Sequence, residues 1–269
     1  MKIFEVRCEH SHFELDPRPP FLEIGLRALN TLRTPSSLES LTSSIVVGQL
    51  HVLLNRFQLG DLKDLQDILK QSDAVISGSA ALLLLHPGRF LPNDIDFYVM
   101  LSGYHLLMTY LQHCGYQVDH YDTSSYPTSY RRIRSIQVLR NNDSSRSVNV
   151  IVCEGPHVLS TISRFHSTLV MNYISPYGVV CLYPLWTMMN MGFIINRNNI
   201  QPMEPHLSKY IHRGFKLSRT LGRGQRAVST HSEDAIRNLH DEDVLFIPFG
   251  SHTNDIRKFE NAVWWELPH

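Results

Sequence analysis

Val75-Ile76-Ser77-Gly78-Ser79-Ala80, followed after a short segment by Asn93-Asp94-Ile95-Asp96-Phe97-Tyr98, is the stretch that decides the fold. Ala74 to Ile76 is a short apolar run of the kind found in buried strands, and it breaks at Gly78. Ala80 to Leu85 is a run of good helix formers stopped at Pro87-Gly88, since proline cannot continue a helix. Ile95 to Met100 reads as a second strand, Tyr104 to Cys114 as a helix ended by Gly115, and Tyr116 to Tyr121 as a third strand. Strand, helix, strand, helix, strand implies an α/β layer. Residues two apart on a strand face the same side, so Asp94 and Asp96 project together while Ile95 and Phe97 turn into the core.

Upstream, Asp61 to Lys70 has apolar positions at 62, 65, 68 and 69, which makes a short amphipathic helix. Ile45 to Phe57, and before it Leu22 to Leu32, repeat apolar residues at helical spacing. Downstream, Arg131 to Arg140 and Ser147 to Cys153 flank the turn-rich Asn141-Asn142-Asp143-Ser144-Ser145, which predicts a hairpin. Between Arg164 and Arg197 the chain carries no Asp, Glu, Lys or Arg. A membrane span needs about 20 mostly apolar residues, however, and Asn172, Ser175, Pro176, Gly178, Pro184 and Asn190 interrupt this one. It reads as buried core segments joined by turns at Ser175 to Gly178 and at Tyr183-Pro184, so no membrane partner is expected. From about Pro202 the chain carries a further helix and a mixed tail.

Composition narrows the class. With 269 residues, 43% hydrophobic and 19% charged, the chain is globular rather than disordered or fibrous. Twenty-five basic side chains balance 25 acidic ones, which excludes binding to a polyanion through bulk charge but not through a local patch. Cys8, Cys114, Cys153 and Cys181 show neither a CxxC pair nor zinc-ribbon spacing, and Met1 to Arg7 meets charges too early for a signal-peptide core. The expected compartment is therefore reducing: cytoplasmic, with the nucleus as the alternative.

Two carboxylates on one strand face repel unless a cation sits between them, and Asp94 and Asp96 are natural Mg²⁺ ligands for that reason. A Gly-Ser turn opening a helix offers backbone amides to phosphate. The order strand, Gly-Ser, helix, loop, Asp-Ile-Asp strand resembles the nucleotidyltransferase superfamily related to DNA polymerase beta, and most closely its abortive-infection and minimal nucleotidyltransferase type. There a Gly-Gly-Thr-Ala-Leu turn precedes Asp-Ile-Asp-Phe. Here Gly78-Ser79-Ala80-Ala81-Leu82 and Asp94-Ile95-Asp96-Phe97 stand in those places, and the resemblance is specific over about residues 61 to 153. His166 to Thr168, Val170 to Tyr173 and Tyr183-Pro184 also resemble a fungal branch carrying this core.

The resemblance implies a third carboxylate on a neighbouring strand, completing a two-metal site. The matching step here is Val148-Asn149-Val150, so Asn149 stands at the third catalytic position. An amide can ligate a metal through oxygen, but it carries no charge and cannot accept the acceptor's proton. Asp119 and Glu154 are the conceivable substitutes, although Glu154 would face away from Asn149 on the same strand.

Lys209, Arg213, Lys216, Arg219, Arg223 and Arg226 recur at intervals of three and four, with no Asp or Glu from Pro205 to Ser232. On one continuous helix they would form a basic face able to grip triphosphate or RNA, or else a solvated face paired with Glu233-Asp234 and Asp241 to Asp243. Gly214, Gly222 and Gly224 bear against that continuity. Arg131, Arg132 and Arg134 pose the same choice on a smaller scale. Cys8, His10 and His12 alternate as zinc ligands could, but without a fourth ligand they read as an ordinary strand. His166-Ser167 lacks a nucleophile elbow and is set aside as a triad fragment.

The expected fold is thus α/β (α+β), a nucleotidyltransferase-like small mixed sheet of about five strands flanked by helices. Residues 1–60 would be a mainly helical extension, 61–200 the core, and 201–269 a helical or mixed extension bearing the basic stripe. The expected function is metal-dependent transfer of a nucleoside monophosphate from an NTP to a hydroxyl on RNA, protein or a small molecule. Gly78, Ser79, Lys209 and Arg213 would hold the nucleotide, and Asp94 and Asp96 would hold Mg²⁺ or Mn²⁺. The alternative is a catalytically degenerate module of the same fold that binds a nucleotide or another protein. An interaction protein of toxin or antitoxin type is the remaining reading, on family analogy alone.

Overall fold

The computed structural model of the chain describes residues 36–121, 132–141, 146–195, 204–218, 236–238, 244–250 and 264–266. In chain order the elements are α1 (Ser36–Phe57), α2 (Leu62–Ser72), β1 (Val75–Ser77), α3 (Ser79–Leu85), β2 (Asp94–Met100), α4 (Leu101–His113), β3 (Tyr116–Tyr121), β4 (Ile133–Asn141) and β5 (Ser147–Cys153). After them come α5 (Leu159–Ile162), β6 (Asn172–Ile174), β7 (Gly178–Cys181), α6 (Pro184–Met188), β8 (Met191–Phe193), α7 (Glu204–His212) and β9 (Lys216–Ser218). The last described strands are β10 (Ile236–Asn238), β11 (Leu245–Pro248) and β12 (Trp264–Glu266). The helix expected at Leu22 to Leu32 and the Cys8, His10, His12 stretch lie outside the described residues.

Eight strands, rather than about five, form the main sheet, in the order β11-β7-β6-β1-β2-β5-β4-β3. The surplus is β6, β7 and β11, strands of three or four residues. β6 and β7 are buried throughout, so they show no period-2 signal, and they open on Asn172 and Gly178. β11 comes from residues 245–248, far outside the expected core, and pairs with β7. The sheet is mostly antiparallel. β2 and β5 run parallel, joined through α4 and the β3–β4 pair, and this sets Asp96 directly opposite Asn149. The expected hairpin is the antiparallel pair β4–β5.

The pleat sorts side chains onto two faces. Ile95, Phe97, Val99, Val148, Val150 and Val152 pack with the apolar sides of α1, α2 and α4 in one core cluster. Tyr98, Ile151 and Cys153 point the other way, into a second cluster that includes Phe165, Tyr173, Tyr210 and Phe215. Asp94, Asp96 and Asn149 have the parity of that second face.

Local chemistry fixes the helices beside β1 and β2. Asp61 caps α2 by accepting a hydrogen bond from the Asp64 amide (2.9 Å), and Asp73 closes it in the left-handed region at φ 50°. Gly103, in the first turn of α4, lets that helix meet the end of α2. A Cβ there would stand 1.8 Å from the Ser72 carbonyl oxygen. Among the described residues no helix is long and apolar enough to cross a membrane.

Candidate functional site

Gly78 adopts φ 69° and ψ −139°, a conformation other residues avoid, and so turns the chain sharply from β1 into α3. The space beside it is as constrained as its backbone. A Cβ on Gly78 would lie 2.6 Å from Asp96 Oδ2, so glycine is what admits the Asp96 carboxylate against the turn. Ser79 is only 2% exposed. Both residues of the expected phosphate turn are therefore buried, and they shape the site from beneath. Ser77, opposite Asp96 in the antiparallel pair, donates its hydroxyl to the Asn172 carbonyl (2.5 Å).

Asp94 and Asp96 keep part of their surface in contact with solvent. The Asp96 carboxyl is nevertheless pushed up to about 7: burial contributes most and the Asp94 charge adds to it, while a hydrogen bond from Asn149 and the Lys209 charge pull the other way. Asn149 Nδ2 donates to Asp96 Oδ1 at 2.7 Å. The amide at the third position therefore serves as a hydrogen-bond donor to the carboxylate beside it. Neither conceivable substitute is near. Asp119 lies on the edge strand β3, two strands beyond β5, and accepts from Arg140 (3.0 Å) and His120 (2.9 Å). Glu154 lies exposed just past β5, its amide bonded to the Arg132 carbonyl (2.6 Å). Among the described residues no group of three or more His, Cys, Asp and Glu side chains is placed to hold a metal ion.

Two expected basic residues do converge on the carboxylates. Lys209, on α7, acts electrostatically on Asp96, and Arg213, one turn later, acts on Asp94. Aromatic rings guide both. The Lys209 ammonium lies 5.1 Å from the Tyr210 ring centroid, and the Arg213 guanidinium lies 4.1 Å from that of Phe90 and 5.5 Å from that of Tyr210. Burial works against the Arg213 charge while the Tyr210 and Asp94 sides support it.

The basic stripe is not one helical face, because α7 ends at His212 and Gly214 turns the chain at φ 80°. Lys216 is an exposed residue of β9. Arg219, Arg223, Arg226, Arg131 and the acidic residues Glu233, Asp234, Asp241, Glu242 and Asp243 lie outside the described residues. Arg132 and Arg134, the described pair of the smaller cluster, flank the start of β4, away from the carboxylates in sequence and strand order.

His166, set aside as a triad fragment, stands at the rim of this arrangement. Its ring lies 6.0 Å from that of Tyr210, and burial together with the Lys209 and His206 charges pushes its pKa down to about 3, so the imidazole is neutral at pH 7. His166 Nδ1 and Arg213 Nη1 are both buried without a hydrogen-bond partner among the described residues. Arg89 and Phe90 also escaped sequence reasoning. They sit in an ordinary Pro-Gly-Arg-Phe loop, and their partners lie more than a hundred residues onward in the chain.

No protein-family model matches the chain, and neither a curated protein nor a solved structure matches it.

Proposed function

We propose that the Asp94–Asp96 face is a nucleotide site and that the chain transfers a nucleoside monophosphate from an NTP to a hydroxyl acceptor, releasing pyrophosphate. One observation carries the reading: two carboxylates sharing a strand face beside a glycine turn lie within electrostatic reach of Lys209 on α7 and of Arg213 just past its end, both far downstream in the chain. Opposite charges brought together in this way suit a ligand that itself joins a cation to a polyanion. The residues fit Mg²⁺, which commonly takes one or two protein carboxylates and completes its shell with water and substrate phosphates. A cation there would also favour the ionised form of Asp96, which the protein alone disfavours. Asp94 and Asp96 would hold Mg²⁺ or Mn²⁺, whose contribution is to neutralise charge on the transferring phosphate. Lys209 and Arg213 would hold the phosphates, and Gly78 and Ser79 would set the floor beneath them.

The test is transfer of label from each α-labelled NTP, with Mg²⁺ and RNA or protein as acceptor, by the wild type and by Asp94→Asn. The wild type is expected to transfer label and the variant to lose at least a hundredfold in rate, the scale on which one electrostatic contact to a transition state acts. Transfer that is absent, or indifferent to the substitution, ends the enzyme reading.

The Asn149 hydrogen bond favours a second reading, a nucleotide-binding module without turnover. In that case Mg²⁺ with NTP stabilises the wild type while no label moves, and Asn149→Asp creates activity. Efficient turnover by the wild type eliminates it.

A further inference from the structure

We propose that Arg89 and Phe90, on the loop that leads into β2, are positioning residues that aim Arg213 at the phosphates of the bound nucleotide; the inference rests on the nucleotide reading above. The loop grips Arg213 at both ends. Arg89 Nε donates to the Arg213 carbonyl at 2.8 Å, Arg89 Nη2 donates to the Gly214 carbonyl at 2.6 Å, and Nη1 donates to Asn190 Oδ1. These backbone acceptors lie just past the C-terminus of α7, where carbonyls lack helical partners and a cation is favoured. The Arg89 guanidinium is in turn stacked 4.2 Å from the Phe215 ring centroid. Its neighbour Phe90 supports the other end, with the Arg213 guanidinium 4.1 Å from its ring centroid.

Glycine is required at 214 for this grip. Its φ is 80°, and a Cβ there would stand 2.9 Å from Arg89 Nη2. The result is an arginine fixed through its backbone and through its ring contacts, whose Nη1 is buried with no hydrogen-bond partner among the described residues and whose charge reaches Asp94. Buried donors are nearly always satisfied. A phosphate oxygen of a bound nucleotide would supply the missing acceptor. The loop that delivers Asp94 therefore also places the cation that faces it, so both halves of the site are set by one segment.

An arginine that merely caps α7 would stabilise the protein equally whatever side chain stood at 213. That difference makes the test. The four magnesium nucleoside triphosphates are titrated calorimetrically into the wild type, and the tightest is carried through Arg89→Lys, Arg213→Gln and the double variant, with Mn²⁺ alone as a parallel titrant. Lysine keeps the charge but cannot span three acceptors. Arg89→Lys is expected to weaken nucleotide binding roughly tenfold, the loss of one well-aimed charged contact. It should leave Mn²⁺ binding within about twofold and add nothing in the Arg213→Gln background, as coupled residues do. Asn190→Gly removes one acceptor while tolerating the left-handed φ of 61° at that position, and it should give a smaller loss with the same dependence on Arg213. It carries the test if Arg89→Lys does not fold. Equal losses in both backgrounds, or no loss from either variant, overturn the positioning role while the nucleotide reading stands. Absence of nucleotide binding by the wild type removes that reading and this inference with it.

Discussion

At Asp96 burial and a like charge act together, and the proton records both. An unfolded aspartate titrates near 3.9, whereas this one is pushed up to about 7. Between those values the folded metal-free chain holds a proton that the unfolded chain has released, so the stability linked to this group is complete below about pH 4 and lost as pH rises through 7. His166 runs the opposite way. Its folded pKa is depressed, so its contribution is present above the unfolded value near 6.5 and is lost on acidification. The difference between wild type and Asp96→Asn isolates the carboxylate. Metal-free Asp96→Asn is expected to gain on the wild type from pH 5 to pH 8, by on the order of several degrees in Tm, and Mg²⁺ is expected to stabilise only the wild type. Parallel pH profiles would contradict this. The aspartate pair was legible in the sequence because a strand's period of two needs no tertiary information. His166, Arg89 and Phe90 were not, because nothing near them in sequence distinguishes a loop arginine or a core histidine from one folded against a distant helix.

The elements were legible in proportion to their local signals. α2 carries its cap at Asp61 and its apolar stripe, and β2, α4 and β3 follow each other with Gly115 marking the break. β6, β7 and β11 carry weaker local signals than the equally short β1: β6 opens on Asn172, β7 opens on Gly178, and β11 ends on Pro248 and finds β7 only through the fold. The spacing of Lys209 to Arg226 suits a helix, but the glycine at 214, which the sequence marks as a break, takes a left-handed φ of 80° and ends the helical part of the stripe. One helix crossing is more demanding than sequence could reveal. Gly103→Ala would drive a Cβ into the Ser72 carbonyl, a backbone atom that cannot swing aside. The helix-propensity gain of alanine, up to ~1 kcal/mol, is smaller than the cost of overpacking two helices, and the expected net destabilisation is about 2 kcal/mol. Chemical denaturation should show a lower midpoint at unchanged slope. An unchanged or higher midpoint would mean that α2 and α4 do not meet as described.

Over the whole molecule a formal net charge of zero conceals a division of labour. The second face of the sheet gathers the paired carboxylates of β2 within electrostatic reach of Lys209 on α7 and Arg213 just past it, while the first face packs against α1, α2 and α4. The charge balance excludes bulk attraction to a polyanion, and it leaves room for a local grip on a cation and a polyphosphate together. The most direct test of that grip needs no knowledge of the acceptor. Thermal unfolding of the wild type and of the Asp94→Asn/Asp96→Asn double variant is followed with Mg²⁺ or Mn²⁺, alone and with each of the four NTPs. At a hundredfold excess over Kd, binding to the folded state is worth about 2.7 kcal/mol, or roughly 5–10 °C for a chain of this size. The expected result is such a rise for the wild type with cation and nucleotide together, absent from the double variant; an equal rise in both proteins, or none in the wild type with any NTP, would contradict it.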